Sequence, residues 1–326
     1  MNARYLFMVV SACSSGRFSA CSFRPLLLLL LPAAGAAVFS AGVRELYRYS
    51  FTRSGSPLVS RLKGERKTHE EAYYTWRDGR KENLKAAPQI RMSIVSDRGE
   101  RLAGFYLPCE NSDGSRIAFI VHGYGSEHAE TAGMVLDYWH SRGFDVFAPD
   151  NTAHGESDGE IIGFDLFESA DALKWIEYLK TRTEKPLQIV LHGFSLGGAS
   201  VMKMSDQIGP EVKFIVEDSG YTEAESLLKA SPLFRTLKLV HRFMTGKDLA
   251  DTDVRPNLSR ASVPILFVQG TDDPTVPSEN APALYDFYQG PKDKLILPKT
   301  RHIEGMYTAP EEYAAKIDEM IGKYIH

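Results

Sequence analysis

The chain is poor in cysteine and has no excess of charge of either sign. Its three cysteines among 326 residues, Cys13, Cys21 and Cys109, exclude a disulfide framework, and their spacing matches no zinc site. Cys109 follows Pro108 and reads as a small, partly buried side chain near a strand end, with no base beside it in sequence. Lys and Arg number 38 against 42 Asp and Glu, so neither the basic surplus of a nucleic-acid binder nor an acidic solvating tail is present. No internal repeat occurs, and no low-complexity tract beyond one leucine run. What remains, 43% hydrophobic and 25% charged residues, is the balance of a globular chain with one core-bearing domain plus appendages.

The leucine run, Leu26 to Leu31, lies within an apolar or small-residue stretch from Pro25 to Val43. That length is just sufficient for a membrane-spanning helix. Arg17 and Arg24 precede it and Ala34-Gly35-Ala36 offers a cleavage site, so a secretory signal peptide is the rival reading. The apolar character continues through Phe39, which favours an uncleaved single-span anchor over a secreted product. Arg44, Arg48, Arg53, Arg61 and Lys63 follow the run and would hold the main domain on the cytoplasmic side, whereas a secretory signal would place it outside. The expected division is a leader over 1–43, a charged helical connector over 44–89 and a catalytic domain over 90–326. In the connector, Glu70 to Trp76 reads as an amphipathic helix with Ala72, Tyr73 and Trp76 on one face, packing on the main domain or on a membrane surface.

From residue 90 the pattern changes. Ile90 to Val95 and Leu102 to Leu107 alternate around the turn Asp97-Arg98-Gly99-Glu100, a β-hairpin. Short apolar strands follow at Ile117 to Val121, Asp145 to Ala148, Leu187 to Leu191, Lys213 to Val216, Ile265 to Val268 and Leu295 to Leu297. Several are apolar on consecutive residues, as in strands buried on both faces. Helical stretches at Glu127 to Ser141, Phe164 to Thr181, Leu196 to Gln207 and Ala309 to Tyr324 separate them. This alternation predicts a mostly parallel α/β sheet with helices on both faces. Residues 221–262 are too long for a plain crossover and read as a small helical cap, whose Leu227, Leu228, Leu233, Phe234, Leu237 and Leu239 either line an acyl pocket or form the cap's own core.

Leu187-Gln188-Ile189-Val190-Leu191-His192-Gly193-Phe194-Ser195-Leu196-Gly197-Gly198 has the order of a nucleophile elbow. A strand delivers the serine, a tight turn lifts it out of the sheet, and the next helix aims its N–H groups at the same place. An acid is sought after a later strand. Asp273 in Gly270-Thr271-Asp272-Asp273-Pro274-Thr275-Val276-Pro277 fits best, with adjacent Asp272 as the alternative. His302 follows the last strand and precedes the final helix, so it is the candidate base. His154 reads as a structural hydrogen-bonding residue and His192 as packing beneath the elbow. An oxyanion hole needs two backbone donors. The N–H of Leu196 supplies one, and that of Tyr124, in His122-Gly123-Tyr124-Gly125, is the expected second. His122 reads as a brace for that loop.

These elements together resemble the α/β-hydrolase superfamily, most closely its serine aminopeptidase-like and esterase-like hydrolases, some tethered by an N-terminal apolar segment. The resemblance spans residues from about 90 to 326. It implies the α/β-hydrolase fold with a small helical cap, Ser195 as nucleophile, Asp273 as acid and His302 as general base, and it calls for no cofactor or metal. Many relatives carry Arg-Gly before the His-Gly of the turn at 150–157. This chain has Thr152-Ala153 there, which puts that turn's usual ion pairing in question. The expected activity is hydrolysis of a carboxylic ester or related acyl bond through an acyl-enzyme. A serine peptidase is the alternative, and an inactive membrane-tethered binding protein the reading from another class. The expected partner is a small acyl ester or peptide, with no nucleic acid.

Overall fold

The computed structural model describes residues 40–55, 70–110, 112–229 and 233–326. The chain divides into Met1–Arg44, of which only the helical residues 40–44 are described, and Glu45–His326. The expected single-span anchor needs correction. Among the described residues no helix is long and apolar enough to cross a membrane. Residues 25–39 of the expected span, and with them the signal-peptide reading, lie outside the described residues. Where the chain resumes it is amphipathic: residues 45–51 are helical, with Tyr47 and Phe51 buried and Arg48 half-exposed.

The larger unit is built on eight strands: β1 (Ile90–Val95), β2 (Arg101–Leu107), β3 (Arg116–Val121), β4 (Asp145–Pro149), β5 (Gln188–Phe194), β6 (Val212–Asp218), β7 (Ile265–Gly270) and β8 (Lys292–Leu297). Their order across the sheet is β1-β2-β4-β3-β5-β6-β7-β8. β2 runs antiparallel to both β1 and β4, and every other pairing is parallel. This is the expected fold class. The opening hairpin forms because its strands alternate, with residue pairs from Ile90↔Tyr106 to Val95↔Arg101 in register. In β3, Ile117, Phe119 and Val121 enter the core on one face and Ala118 and Ile120 that on the other, which is why consecutive apolar residues marked the strand.

Helices cover both faces. α1 (Glu71–Ala86), α2 (His128–Ser141) and a late helix, Pro310–Tyr324, bury Tyr73, Trp139 and Tyr313 on one face. α3 (Glu168–Lys180) and α4 (Leu196–Lys203) bury Trp175 and Met202 on the other. α1 packs on the main body rather than linking to it. Tyr73 is buried and donates to Met134 Sδ at 3.4 Å, Arg80 pairs with Asp137 at 2.8 Å, and Ala72 faces solvent. Between β6 and β7 run α5 (Ala224–Leu228), α6 (Phe234–Thr245), a 3₁₀ turn (Leu249–Thr252) and α7 (Arg255–Leu258). Leu237 is buried there and Leu227, Leu228 and Leu233 pack against the core, whereas Leu239 is 68% exposed and lines nothing internal. α8 (Asn280–Phe287), α9 (Gly305–Thr308) and α10 (Pro310–Tyr324) complete the chain.

Some boundaries differ from expectation for local reasons. α3 begins at Glu168, not Phe164, because Phe164 and Asp165 both have positive φ, at 52° and 81°. The Glu168 carboxylate accepts the Gly163 and Asp165 N–H groups at 2.9 and 2.8 Å and so ties down the turn before the helix. β6 runs on past Val216 through Glu217 and Asp218, both fully buried carboxyl groups.

Candidate active site

β5 ends at Phe194 and α4 starts at Leu196, so Ser195 alone makes the turn, with φ 55° and ψ −113°. Such a backbone is costly for a residue with a side chain. The surroundings enforce it. A Cβ on Gly193 would lie 2.2 Å from the Gly197 carbonyl oxygen, and one on Gly197 would lie 2.0 Å from that of Val121. The Ser195 N–H donates to the Asp218 carbonyl at 2.8 Å, which locks the elbow to the end of β6.

His302 stands on the loop after β8. Its Nε2 lies 2.9 Å from Ser195 Oγ and its Nδ1 2.6 Å from Asp273 Oδ2. A carboxylate only accepts, so Nδ1 carries the proton and Nε2 receives the serine hydroxyl. Asp273 is held by four donors. Thr275 and Val276 donate from backbone N–H to Oδ1 at 2.7 and 2.9 Å. Gln269 Nε2 donates to Oδ2 at 2.9 Å, the oxygen that His302 uses. Asp272 is not brought to the histidine: its Oδ1 accepts the Thr271 hydroxyl at 2.9 Å at an exposed position. The Asp272 N–H donates to the Thr300 carbonyl at 3.0 Å and fastens the acid's turn to the histidine's loop.

The loop after β3 is fixed from two sides by histidines. The Asn151 N–H donates to His122 Nε2 at 2.9 Å and the Gly125 N–H to His154 Nε2 at 3.1 Å. Each ring therefore keeps its proton on Nδ1, donating to the carbonyls of Gly123 at 2.8 Å and Thr152 at 2.9 Å. Burial pulls the imidazolium of His154 down to about 3 and lowers that of His122, so both are neutral braces. A Cβ on Gly123 would sit 3.2 Å from Ser195 Cβ, so this loop lies against Ser195. The first N–H groups of α4, Leu196 among them, have no acceptor within their own helix.

Beneath the elbow a buried chain of donors runs from Trp139 Nε1 to His192 Nδ1 at 3.4 Å, from His192 Nε2 to Tyr313 Oη at 2.9 Å, and from Tyr313 Oη to Asp218 Oδ2 at 2.7 Å. Burial pushes the Asp218 carboxyl up to about 6 and that of Glu217 up to about 8. The Thr152 departure is also accounted for. Arg98 reaches over from the β1–β2 turn, donating to Thr152 Oγ1 at 2.7 Å and Asp171 Oδ2 at 2.8 Å, while the threonine hydroxyl donates to the same carboxylate at 2.6 Å. Sequence reading missed Gln269, Asp218, Glu217 and Arg98. Two acids closing an apolar strand were the available signal for Asp218 and Glu217.

The sequence profile of the serine aminopeptidase, S33, family matches residues 113–245, which include Ser195 and stop short of Asp273 and His302. The protein YfhR of Salmonella typhi is 26% identical over 228 residues, 65% of this chain and 74% of that one. Lysophosphatidylserine lipase ABHD12 of Danio rerio is 28% identical over 175 residues, 50% of this chain and 43% of that one. The structure of the Pyrococcus furiosus esterase Pf2001 superposes with a TM-score of 0.62 at 17% identity, covering 75% of this chain and 95% of that one. These likenesses establish the α/β-hydrolase fold.

Proposed function

We propose that this α/β-hydrolase-fold chain is a serine hydrolase that cleaves a carboxylic ester of a small molecule, with Ser195 as nucleophile, His302 as general base and Asp273 as the orienting acid. The observation that carries the reading is the unbroken path from Ser195 Oγ through the His302 ring to Asp273, at 2.9 and 2.6 Å. In the first step Ser195 Oγ attacks the ester carbonyl carbon while His302 Nε2 takes its proton. Asp273 stabilises the imidazolium so formed. The N–H groups of Leu196 and Tyr124 hold the oxyanion of the tetrahedral intermediate. The intermediate collapses as His302 returns the proton to the departing alkoxide, leaving an acyl-Ser195 ester. Water then attacks that ester with His302 again as base, releasing the acid and restoring the serine.

Ester chemistry is preferred to peptide chemistry because the superposing Pyrococcus structure is that of an esterase. A serine peptidase is the second reading, favoured by the description of the matching family. Wild-type protein should react with a fluorophosphonate probe and release p-nitrophenol from short-chain esters. Ser195→Ala should lose both, with a rate loss on the order of 10⁶ where the acyl step is essential. Labelling that persists in Ser195→Ala removes the assignment, and a peptide amide cleaved faster than every ester tested selects the second reading.

A further inference from the structure

Next to the oxyanion loop lies a cavity of about 270 Å³ that the triad does not use. Tyr124, Ser126 and His154 form one side, and Tyr49, Arg53 and Ile162 the other. The first of these walls belongs to the catalytic loop itself. Gly123 lies against Ser195, and the next residue, whose Cα is about 3.8 Å further along the chain, is the Tyr124 that lines the cavity. The second wall is Tyr49 at the end of the helical residues 45–51, Arg53 just after them, and Ile162 alongside. It is stapled in place by Arg53 N–H to the Glu160 carbonyl at 3.0 Å, by Ile162 N–H to the Phe51 carbonyl at 2.9 Å, and by the Tyr124 hydroxyl to the Tyr49 carbonyl at 3.0 Å.

Arg53 gives the cavity its character. Its Nη1 donates to the Ser157 carbonyl at 2.5 Å and its Nη2 to the Gly155 carbonyl. Two of five N–H donors are thus spent on backbone dipoles, which fixes the plane of the guanidinium without neutralising it. Among the described residues no carboxylate pairs with Arg53, and no lining residue is Asp or Glu. Of the other lining groups, His154 is held neutral by burial and burial raises the Tyr124 phenol to about 12. The carboxylate that Ser126 meets, that of Glu130 at 3.2 Å from its hydroxyl, is paired with Arg77 at 3.3 Å and Lys81 at 3.6 Å. A fixed, uncompensated guanidinium at one end of a polar cavity is the arrangement that recognises a carboxylate or phosphate oxygen pair.

We infer that the cavity between Arg53 and Tyr124 is a subsite for an anionic group of the substrate, so that the preferred esters carry a carboxylate or a phosphate within reach of the scissile carbonyl. This rests on the hydrolase reading above. The bound anion would receive the remaining N–H groups of Arg53, while the carbonyl lies on the other side of Tyr124 at Ser195.

The test pairs each anionic ester with a neutral twin. Mono-p-nitrophenyl succinate is set against its methyl ester, and 1-butyryl-glycerol 3-phosphate against 1-butyryl-glycerol. Wild-type protein should prefer at least one anionic member by tenfold or more in kcat/KM, chiefly through KM. The pair that shows it tells carboxylate from phosphate. In Arg53→Gln that preference ratio should fall at least tenfold, and in Arg53→Glu it should invert. No preference in wild-type protein, or a ratio unchanged in both variants, overturns the inference. A general loss of folding would lower both members of a pair together and leave the ratio intact. Calorimetric titration of Ser195→Ala with succinate and with glycerol 3-phosphate reads the subsite without turnover. Binding that is lost on adding Arg53→Gln supports it, and no binding, or binding indifferent to Arg53, overturns it. If neither member of any pair is hydrolysed and the fluorophosphonate probe does not label, the hydrolase reading fails, and the titration alone still decides for or against the anion site.

Discussion

Gln269 donates from Nε2 to Asp273 Oδ2 at 2.9 Å, sharing that oxygen with His302 Nδ1 at 2.6 Å. The amide therefore restrains the carboxylate's rotation and draws off part of its negative charge. Gln269→Leu should lower kcat/KM by on the order of tenfold, the scale of one hydrogen bond to a charged group. Steady-state kinetics on one p-nitrophenyl ester reads the change, and a rate equal to wild type would show that Gln269 does not position the carboxylate.

Asp273 and Asp272 are adjacent in sequence and opposite in environment, the first fully buried and accepting from four donors, the second exposed. Asp273→Asn should cost about 10⁴-fold in kcat, because an amide facing Nδ1 favours the wrong imidazole tautomer. Asp272→Asn should change kcat by no more than about threefold, since it removes an exposed carboxylate paired only with a neighbouring hydroxyl. Steady-state kinetics on one p-nitrophenyl ester decides. The reverse ranking would move the acid to the other residue.

The elbow's glycines make a stability prediction. Gly197→Ala would place a Cβ 2.0 Å from the Val121 carbonyl oxygen, a backbone atom of the central strand that cannot turn aside. The change should lower stability by about 3 kcal/mol or more, the range of overpacked or strained core sites, as read by denaturant unfolding. An unfolding midpoint equal to wild type would show that β3 and α4 are not in close contact.

Much of this was legible in the chain. The strands announced themselves by consecutive apolar residues, and Ser195, Asp273 and His302 each follow a strand end in turns marked by Gly or Pro. Residues that act across space were not legible. Arg98 reaches Thr152 over 54 residues of sequence, and Arg53 reaches the 155–157 turn over more than 100. Nothing in the local pattern of either arginine distinguishes it from a solvated surface charge. Gln269 and Asp218 are illegible for a different reason: an apolar run marks a strand only as far as its last apolar residue, yet each of these polar residues continues its strand and lies beside the site. Among the described residues no helix is long and apolar enough to cross a membrane, and the helical residues 45–51 carry Glu45 and Arg48 beside buried Tyr47 and Phe51.

The buried acid Glu217 predicts how stability changes with pH. Burial raises its carboxyl from 4.5 to about 8, with the neighbouring charge of Asp218 adding to the effect. Between those values the folded state holds a proton that the unfolded state releases, so its contribution is present below 4.5 and is lost as pH rises through about 8. His154 and His192 act in the opposite direction. Burial lowers both from 6.5 to about 3, so their contribution is present above 6.5 and is lost as pH falls toward 3. Unfolded-state histidines still release protons just above pH 6.5, so the Glu217 decline is read as the difference between wild type and Glu217→Gln. Urea unfolding at pH 6.5 and pH 8 should show wild-type stability falling relative to that variant by up to about 1.4 kcal/mol per pH unit, the limit for one proton. Glu217→Gln keeps an acceptor for the Gly220 N–H, which Glu217 Oε1 receives at 2.9 Å, and removes the titration. The variant should lack that share of the pH dependence. A variant whose stability follows wild type in parallel over the interval would mean that Glu217 is already ionised in the folded protein.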